Sequence, residues 1–371
     1  MRFWKIAAVA GLAACATSAD STSETEQDVQ SATPMGFARV TATGGIAASM
    51  NSSGGSVRVI PGTTGSYAVE FANLAGAWFF TDAAGGHAQV TAEGPSNVRC
   101  RIAGWDGIAS LSSTAATVRV LCSDPGGQPA ASPFAVLFYR APFPAANSLP
   151  TYAAYSWVQA NGGVSSTYDY NSSGAHNTVT RFSPGRYVVN IANASNVNAS
   201  MMVSAFGNND TICSVGSWYA GHTYVNCTDQ YSRFVDSAFT FSYAVTGPTL
   251  QQQGAHTWFN GSSADPSYSA ANPKVSGIST ASIRASGGLP VVSLVVSGEL
   301  GSWDLSPFVR ASFATKYGSP GYCKVESVSS VEGETSSTST TAVRCYTPDG
   351  MVINSPQLTF TQITSDEAGP G

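Results

Sequence analysis

At 371 residues the chain is too long for one ordinary domain and suits two or three, each able to bury a core of its own. Charged residues make up 11% of it, against about 25% in an average soluble protein, while Gly, Ser, Thr, Asn and aromatic residues are plentiful, which is the profile of exported β proteins. The formal net charge is −5, or −7 once the two positive charges of Arg2 and Lys5 are removed, and with no basic patch to neutralise phosphates nucleic acid is not an expected partner.

The chain opens with the basic stretch Met1-Arg2-Phe3-Trp4-Lys5, followed by an apolar run from Ile6 to Ala14. Nine residues are too few to span a bilayer and suit the core of a signal peptide, read here as residues 1–14. The run ends Leu12-Ala13-Ala14-Cys15, which is similar to a bacterial lipobox, and the resemblance implies cleavage before Cys15 and lipidation of its thiol. Ordinary signal cleavage near Ala19, after Thr17-Ser18, is the alternative. Residues 15–35 hold few large apolar side chains and cannot offset their ordering entropy, so they are expected to form a flexible tether. No later stretch approaches the roughly 20 apolar residues of a spanning helix, and the body is expected to be soluble.

Beyond the tether one motif is spelled three times. Its first copy runs through Val90 to Gly94, Cys100, Trp105, Val118 to Cys122 and Ser132 to Phe138. The second runs through Met201 to Gly207, Cys213, Trp218, Tyr224 to Cys227 and Asp236 to Tyr243, and the third through Phe313 to Gly318, Cys323, Val328, Val343 to Cys345 and Ser355 to Phe360. This predicts module one at 36–140, a proline-rich linker at 141–152, module two at 153–245, a second linker at 246–253, module three at 254–363 and a tail at 364–371. Each of the first two modules has an Asn-Ser-Ser-Gly turn, at Asn51 and Asn171, before a hairpin that includes Tyr67 or Tyr187. In module three, Leu289-Pro290 is aligned with those tyrosines, and Gly298 to Pro307 reads as an insertion.

The cysteines fall as one pair per repeat: Cys100 with Cys122, Cys213 with Cys227, and Cys323 with Cys345, at spacings of 22, 14 and 22. Three disulfides in an oxidising compartment are the natural reading, since zinc sites favour cysteines two to four residues apart with histidine support. Residues two apart on a strand share a face. Val118, Val120 and Cys122 therefore point together against Arg119, as do Val225 with Cys227 and Val343 with Cys345, which makes the cysteine face the core face. Phe134, Val136 and Phe138 repeat the pattern, as do Phe239, Phe241 and Tyr243, and Leu358 with Phe360. The predicted fold is all-β, three tandem antiparallel β-sandwiches of about eight strands each. A six-bladed β-propeller is the alternative, with each module split into two four-stranded meanders.

The succession Asn-Ser-Ser-Gly, Val-Thr-Arg, Gly-Arg-Tyr-Val-Val, Ser-Ala-Phe-Gly, Cys, Trp, Cys, Asp-Ser-Ala-Phe in module two resembles a repeat of uncharacterised secreted bacterial tandem-repeat proteins. It is similar, more loosely, to terminal β-sandwich modules of phage tail-fibre-like proteins. The resemblance covers nearly all the chain from Gly36 onward and brings no catalytic residues with it.

The sequence lacks a nucleophile elbow, a His-Glu-x-x-His, a Walker loop and a dinucleotide fingerprint. His87, His176, His222 and His256 hold no equivalent repeat positions, and Asp124, Asp229 and Asp349 lie beside turns, the pattern of solvated turn residues. Trp105 and Trp218 each follow a cysteine by five residues, but Val328 holds that place in module three, which favours packing over ligand contact. No catalytic residue, metal ligand or cofactor is assigned. The expected role is an exported envelope lipoprotein, periplasmic or surface-exposed, that touches the membrane through its anchor alone and acts as a non-catalytic binding or adhesion protein for a glycan or cell-surface ligand. A structural envelope component and a secreted hydrolase are the alternatives. A specific site is expected on loops where the repeats differ, with Asn209, Asp210, Tyr219 and His222 as its candidate residues.

Overall fold

A computed structural model describes residues 34–76, 85–109, 113–141, 153–194, 199–219, 221–245, 253–260, 262, 264–271, 275–286, 289–299, 308–313, 320–332 and 336–364. The signal sequence, Cys15 and nearly all of both linkers lie outside the described residues.

Every regular element among these residues is a strand. Module one contributes β1 (Met35–Val40), β2 (Ile46–Asn51), β3 (Val57–Pro61), β4 (Ser66–Phe71), β5 (His87–Ala92), β6 (Arg99–Asp106), β7 (Ala116–Ser123) and β8 (Phe134–Tyr139). Module two contributes β9 (Ala153–Val158), β10 (Val164–Asn171), β11 (Thr178–Ser183), β12 (Arg186–Asn190), β13 (Ala199–Phe206), β14 (Ile212–Tyr219), β15 (His222–Thr228) and β16 (Ala238–Val245). Module three contributes β17 (Gln253–Phe259), β18 (Ala264–Ala271), β19 (Val275–Ser286), β20 (Leu289–Glu299), β21 (Phe308–Phe313), β22 (Tyr322–Glu332), β23 (Ser336–Tyr346) and β24 (Leu358–Thr364). Met35, Gln253 and Thr364 thus belong to strands rather than to tether, linker and tail.

Each module is a sandwich with one topology. Its first sheet takes the order β2-β1-β8-β5, repeated as β10-β9-β16-β13 and β18-β17-β24-β21, and its second joins the remaining four strands, as in β11-β12-β15-β14. The first and eighth strands of a module pair with each other, so neither sheet is a meander of consecutive strands and the propeller alternative falls away. Burial follows the pleat: on β4 Tyr67, Val69 and Phe71 are buried while Ser66, Ala68 and Glu70 are partly exposed, and on β7 Val118, Val120 and Cys122 point inward against exposed Arg119. The three disulfides Cys100–Cys122, Cys213–Cys227 and Cys323–Cys345 join residues directly opposite on paired strands, with Cα atoms 4.0, 4.1 and 4.0 Å apart. Together they suit an oxidising, extracytoplasmic environment.

Module three keeps the register but not by the residues aligned from sequence. Tyr67 faces Val120 and Tyr187 faces Val225; opposite the equivalent Val343 lies Val292, fully buried, two residues beyond Pro290. The aromatic is replaced by a smaller apolar side chain, so an alignment anchored on the tyrosines slips.

The modules are not beads on a string. On β5 and on all of β13 but its last residue, both faces are buried, which a sandwich sheet with one solvated face does not require. The outward residues of β5 are polar, and the strand bonds across to module two: Gln89 Nε2 donates to Ser242 Oγ at 2.9 Å, and Thr240 Oγ1 donates to the Ala88 backbone carbonyl at 3.1 Å. Sheets also run from one module into the next. A parallel bridge joins Phe206 of β13 to Ile102 of β6, creating an eight-stranded sheet, and a second parallel bridge joins Glu93 to Val325 of β22. Equivalent hydrogen bonds lock both seams, Gly207 N to Ile102 O and Gly94 N to Val325 O, each 2.9 Å. In the third seam β14 adjoins β21. The sixth strand of each module therefore meets the fifth of another in a closed cycle, with all three modules pointing the same way.

Candidate functional site

The cyclic arrangement gives the head two distinct ends. Met35 pairs with Tyr139, Ala153 with Ala244 and Gln253 with Thr364, so the entry and exit of every module lie at one end of its first sheet. At the other end Val40 pairs with Phe134, Val158 with Phe239 and Phe259 with Leu358. On that side the turns 124–128, 229–233 and 347–351 project, each closed by an equivalent bridge, Ser123 to Pro129, Thr228 to Phe234 and Tyr346 to Val352.

These three turns meet. Gly127, at φ 83°, lies so close to module two that a Cβ there would stand 2.7 Å from Asp210 Oδ2 and 3.1 Å from Gln230 Oε1. Gly350, at φ 90°, would place a Cβ 2.5 Å from Pro125 Cγ of module one. Both the left-handed backbone and the close approach call for glycine. Inside the turns, Asp124 Oδ1 accepts from Gln128 N at 2.9 Å, and Asp229 Oδ1 accepts from Tyr231 N at 2.9 Å and Arg233 N at 3.0 Å. Burial acts against the Asp229 carboxylate, yet Arg233 and the two backbone N–H groups hold it below the usual range. In module three the equivalent residue is Thr347, whose hydroxyl accepts from Met351 N at 3.0 Å, and Asp349 sits two residues further on than repeat alignment implies.

The apex carries exposed side chains of mixed chemistry. Tyr231 is 68% and Met351 63% exposed, and the Arg233 guanidinium lies 5.2 Å from the Tyr231 ring centroid. Gln128, Ser232 and Asp349 are exposed on the same three turns.

Below the apex the four candidate residues from the sequence separate. Asn209 and Asp210 precede β14, while Tyr219 ends it and His222 opens β15, about 20 Å or more away by strand rise. His222 Nδ1 lies 2.5 Å from Asn190 Oδ1, and Asn209 Nδ2 reaches Ser237 Oγ at 3.5 Å. Asp210 is committed to the seam with module one: it pairs with Arg99, accepts from Arg101 Nη1 at 3.2 Å and accepts from Ser123 Oγ at 2.7 Å. Arg99 also donates to the Pro348 carbonyl of module three at 2.9 Å, so one guanidinium binds all three modules. The four therefore form no common site.

Trp105 and Trp218 pack as seam residues. Trp105 is 5.4 Å from Phe206 and 5.3 Å from Tyr168 of module two, and Trp218 is 5.8 Å from Trp258 of module three. In the seam between modules three and one the corresponding register positions carry Val328 and Arg39, and Arg39 Nε instead pairs with Glu93 at 3.0 Å. Both aromatic partners change together there.

One cluster has catalytic residue types in the wrong order. Ser156 Oγ donates to Asp169 Oδ1 at 2.5 Å, and His176 Nδ1 lies 3.2 Å from Asp169 Oδ2. The carboxylate stands between hydroxyl and imidazole, so the imidazole is not placed to take the serine proton. Ser156 is fully buried, and Asn177 Nδ2 donates to the same Asp169 Oδ1 at 2.6 Å, which marks a core network holding the Asn-Ser-Ser-Gly turn of module two.

The fold and its covalent links define an all-β, disulfide-bonded protein of sandwich type. No protein-family model, curated protein or solved structure matches the chain.

Proposed function

We propose that the chain is an exported envelope protein whose three modules form a non-catalytic binding head, lipid-anchored through Cys15 and presenting its apex to a glycan or other cell-surface ligand. The observation that supports this reading is the polarity of the head: the chain enters at one end, and three turns from three modules converge at the other. A tether leaving Met35 would hold those turns away from the membrane. An exposed aromatic face beside a guanidinium, with the Gln128 amide and the Asp349 carboxylate exposed on neighbouring turns, supplies the stacking and hydrogen bonding that a sugar uses. A structural envelope role is the second reading, favoured by the polar seams that fuse the modules.

Binding of the full chain to a glycan array and to whole cells tests the first reading. Tyr231→Ala combined with Met351→Ala should abolish binding with thermal unfolding unchanged, because both side chains are exposed. Retained binding in that variant would remove the apex as the site. Cys15→Ser should move the protein from the membrane to the soluble fraction, and a wild type already in the soluble fraction would contradict the anchor.

A further inference from the structure

A cavity of about 60 Å³ lies where the three modules meet, walled by Thr91 and Ala92 of β5, Arg99 and Arg101 of β6, Ser204 of β13 and Tyr322 of β22, among others. It is a small, partly open cleft, far below the roughly 300 Å³ at which pockets for organic ligands begin. Its occupant is therefore of the size of water or a simple ion.

The wall is rich in donors. The Thr91 residue is 3% exposed, and its hydroxyl has no hydrogen-bond partner within the protein. Along β5 the N–H groups of alternate residues leave the same edge of the strand. Glu93 N turns inward to the Pro133 carbonyl at 2.8 Å, whereas Gly94 N turns outward to Val325 O at 2.9 Å and Val90 N reaches outward to Ser204 Oγ at 3.5 Å. Ala92 N–H, between them, points out of that same edge.

Charge has the matching sign. The Arg99 and Arg101 side chains are 7% and 11% exposed and share one carboxylate, Asp210. Each guanidinium has five N–H groups, and three nitrogens of each are engaged by one acceptor apiece within the protein, so donors remain on both. Two buried cations against one anion leave an excess positive charge beside a donor-lined cavity. Burial holds the Arg101 guanidinium below its usual range, Asp210 opposes this, and the charge of Arg99 adds to it.

We propose that this cavity is a binding site for a small monovalent anion of the size of chloride, held by the Thr91 hydroxyl, the Ala92 N–H and the remaining N–H groups of Arg99 and Arg101. The bound anion balances the arginine pair and ties the three modules together at their junction.

The test uses the full chain with its disulfides intact. Thermal unfolding is followed while chloride replaces gluconate at constant ionic strength, since an ion that binds only the folded state raises the midpoint in a saturable way. Thr91→Val should weaken the chloride midpoint about tenfold, the loss of one hydrogen bond to a charged group. Crystals soaked in bromide should show an anomalous peak within hydrogen-bonding distance of Ala92 N. Identical unfolding in chloride and gluconate would overturn the proposal, as would a bromide-soaked crystal with only water in the cavity.

Discussion

Lys324 is fully buried at the seam between modules three and one, where its ammonium donates to Val98 O at 3.2 Å and Ser96 Oγ at 3.3 Å. Burial lowers its pKa from the ordinary 10.5 to about 8, despite the nearby carboxylates of Glu93 and Glu326; the Arg344 cation adds to the lowering. Between these two values the unfolded chain binds more protons than the fold, so stability rises with pH across that window. Below pH 8 both states are protonated and the full cost of burying the charge is present. Burial also raises the Tyr322 and Tyr346 phenols, so unfolded-state tyrosine ionisation opposes the rise as pH approaches 10. From pH 8 to 9.5 urea unfolding should show a gain of about 1 kcal/mol per pH unit. Lys324→Met should flatten that gain; an equal gain in the variant would show that another group titrates.

Among the elements, the paired sixth and seventh strands of each module are the most strongly fixed. They carry the disulfide and share one bulge, two to four residues after the first cysteine, at Ile102/Gly104, Val215/Ser217 and Val325/Ser327. Closing the 14-residue separation from Cys213 to Cys227 should contribute about 3 kcal/mol in the loop-closure account. Replacing both cysteines with alanine should lower the denaturant midpoint and, because the unfolded chain loses a cross-link, steepen the slope; an unchanged midpoint would contradict the account. These strands are also where the sequence is most legible, because period-two alternation at Val118, Val120 and Cys122 reports a single buried face. The seams are not legible that way. His87, Gln89 and Thr91 alternate with Ala88, Val90 and Ala92 as solvent-facing residues would, yet all six are buried, and the charge of Arg99 and Arg101 disguises their burial against Asp210. The apex was legible only as separate turns, since nothing local in 124–128, 229–233 or 347–351 states that they meet.

For the whole molecule, fusion of the modules changes what a repeat protein is expected to do. Independent sandwiches on linkers would gain avidity from separate weak sites; here one composite apex is built from all three. The seams combine buried cations, a continuous eight-stranded sheet and the Trp218–Trp258 contact, so no module can open without exposing polar and aromatic surface of its neighbours. Scanning calorimetry of the oxidised full chain tests this interdependence most directly. A closed head predicts one transition whose calorimetric and van't Hoff enthalpies agree. Two or three separated transitions, with removal of the Cys213–Cys227 bridge moving only one of them, would contradict it.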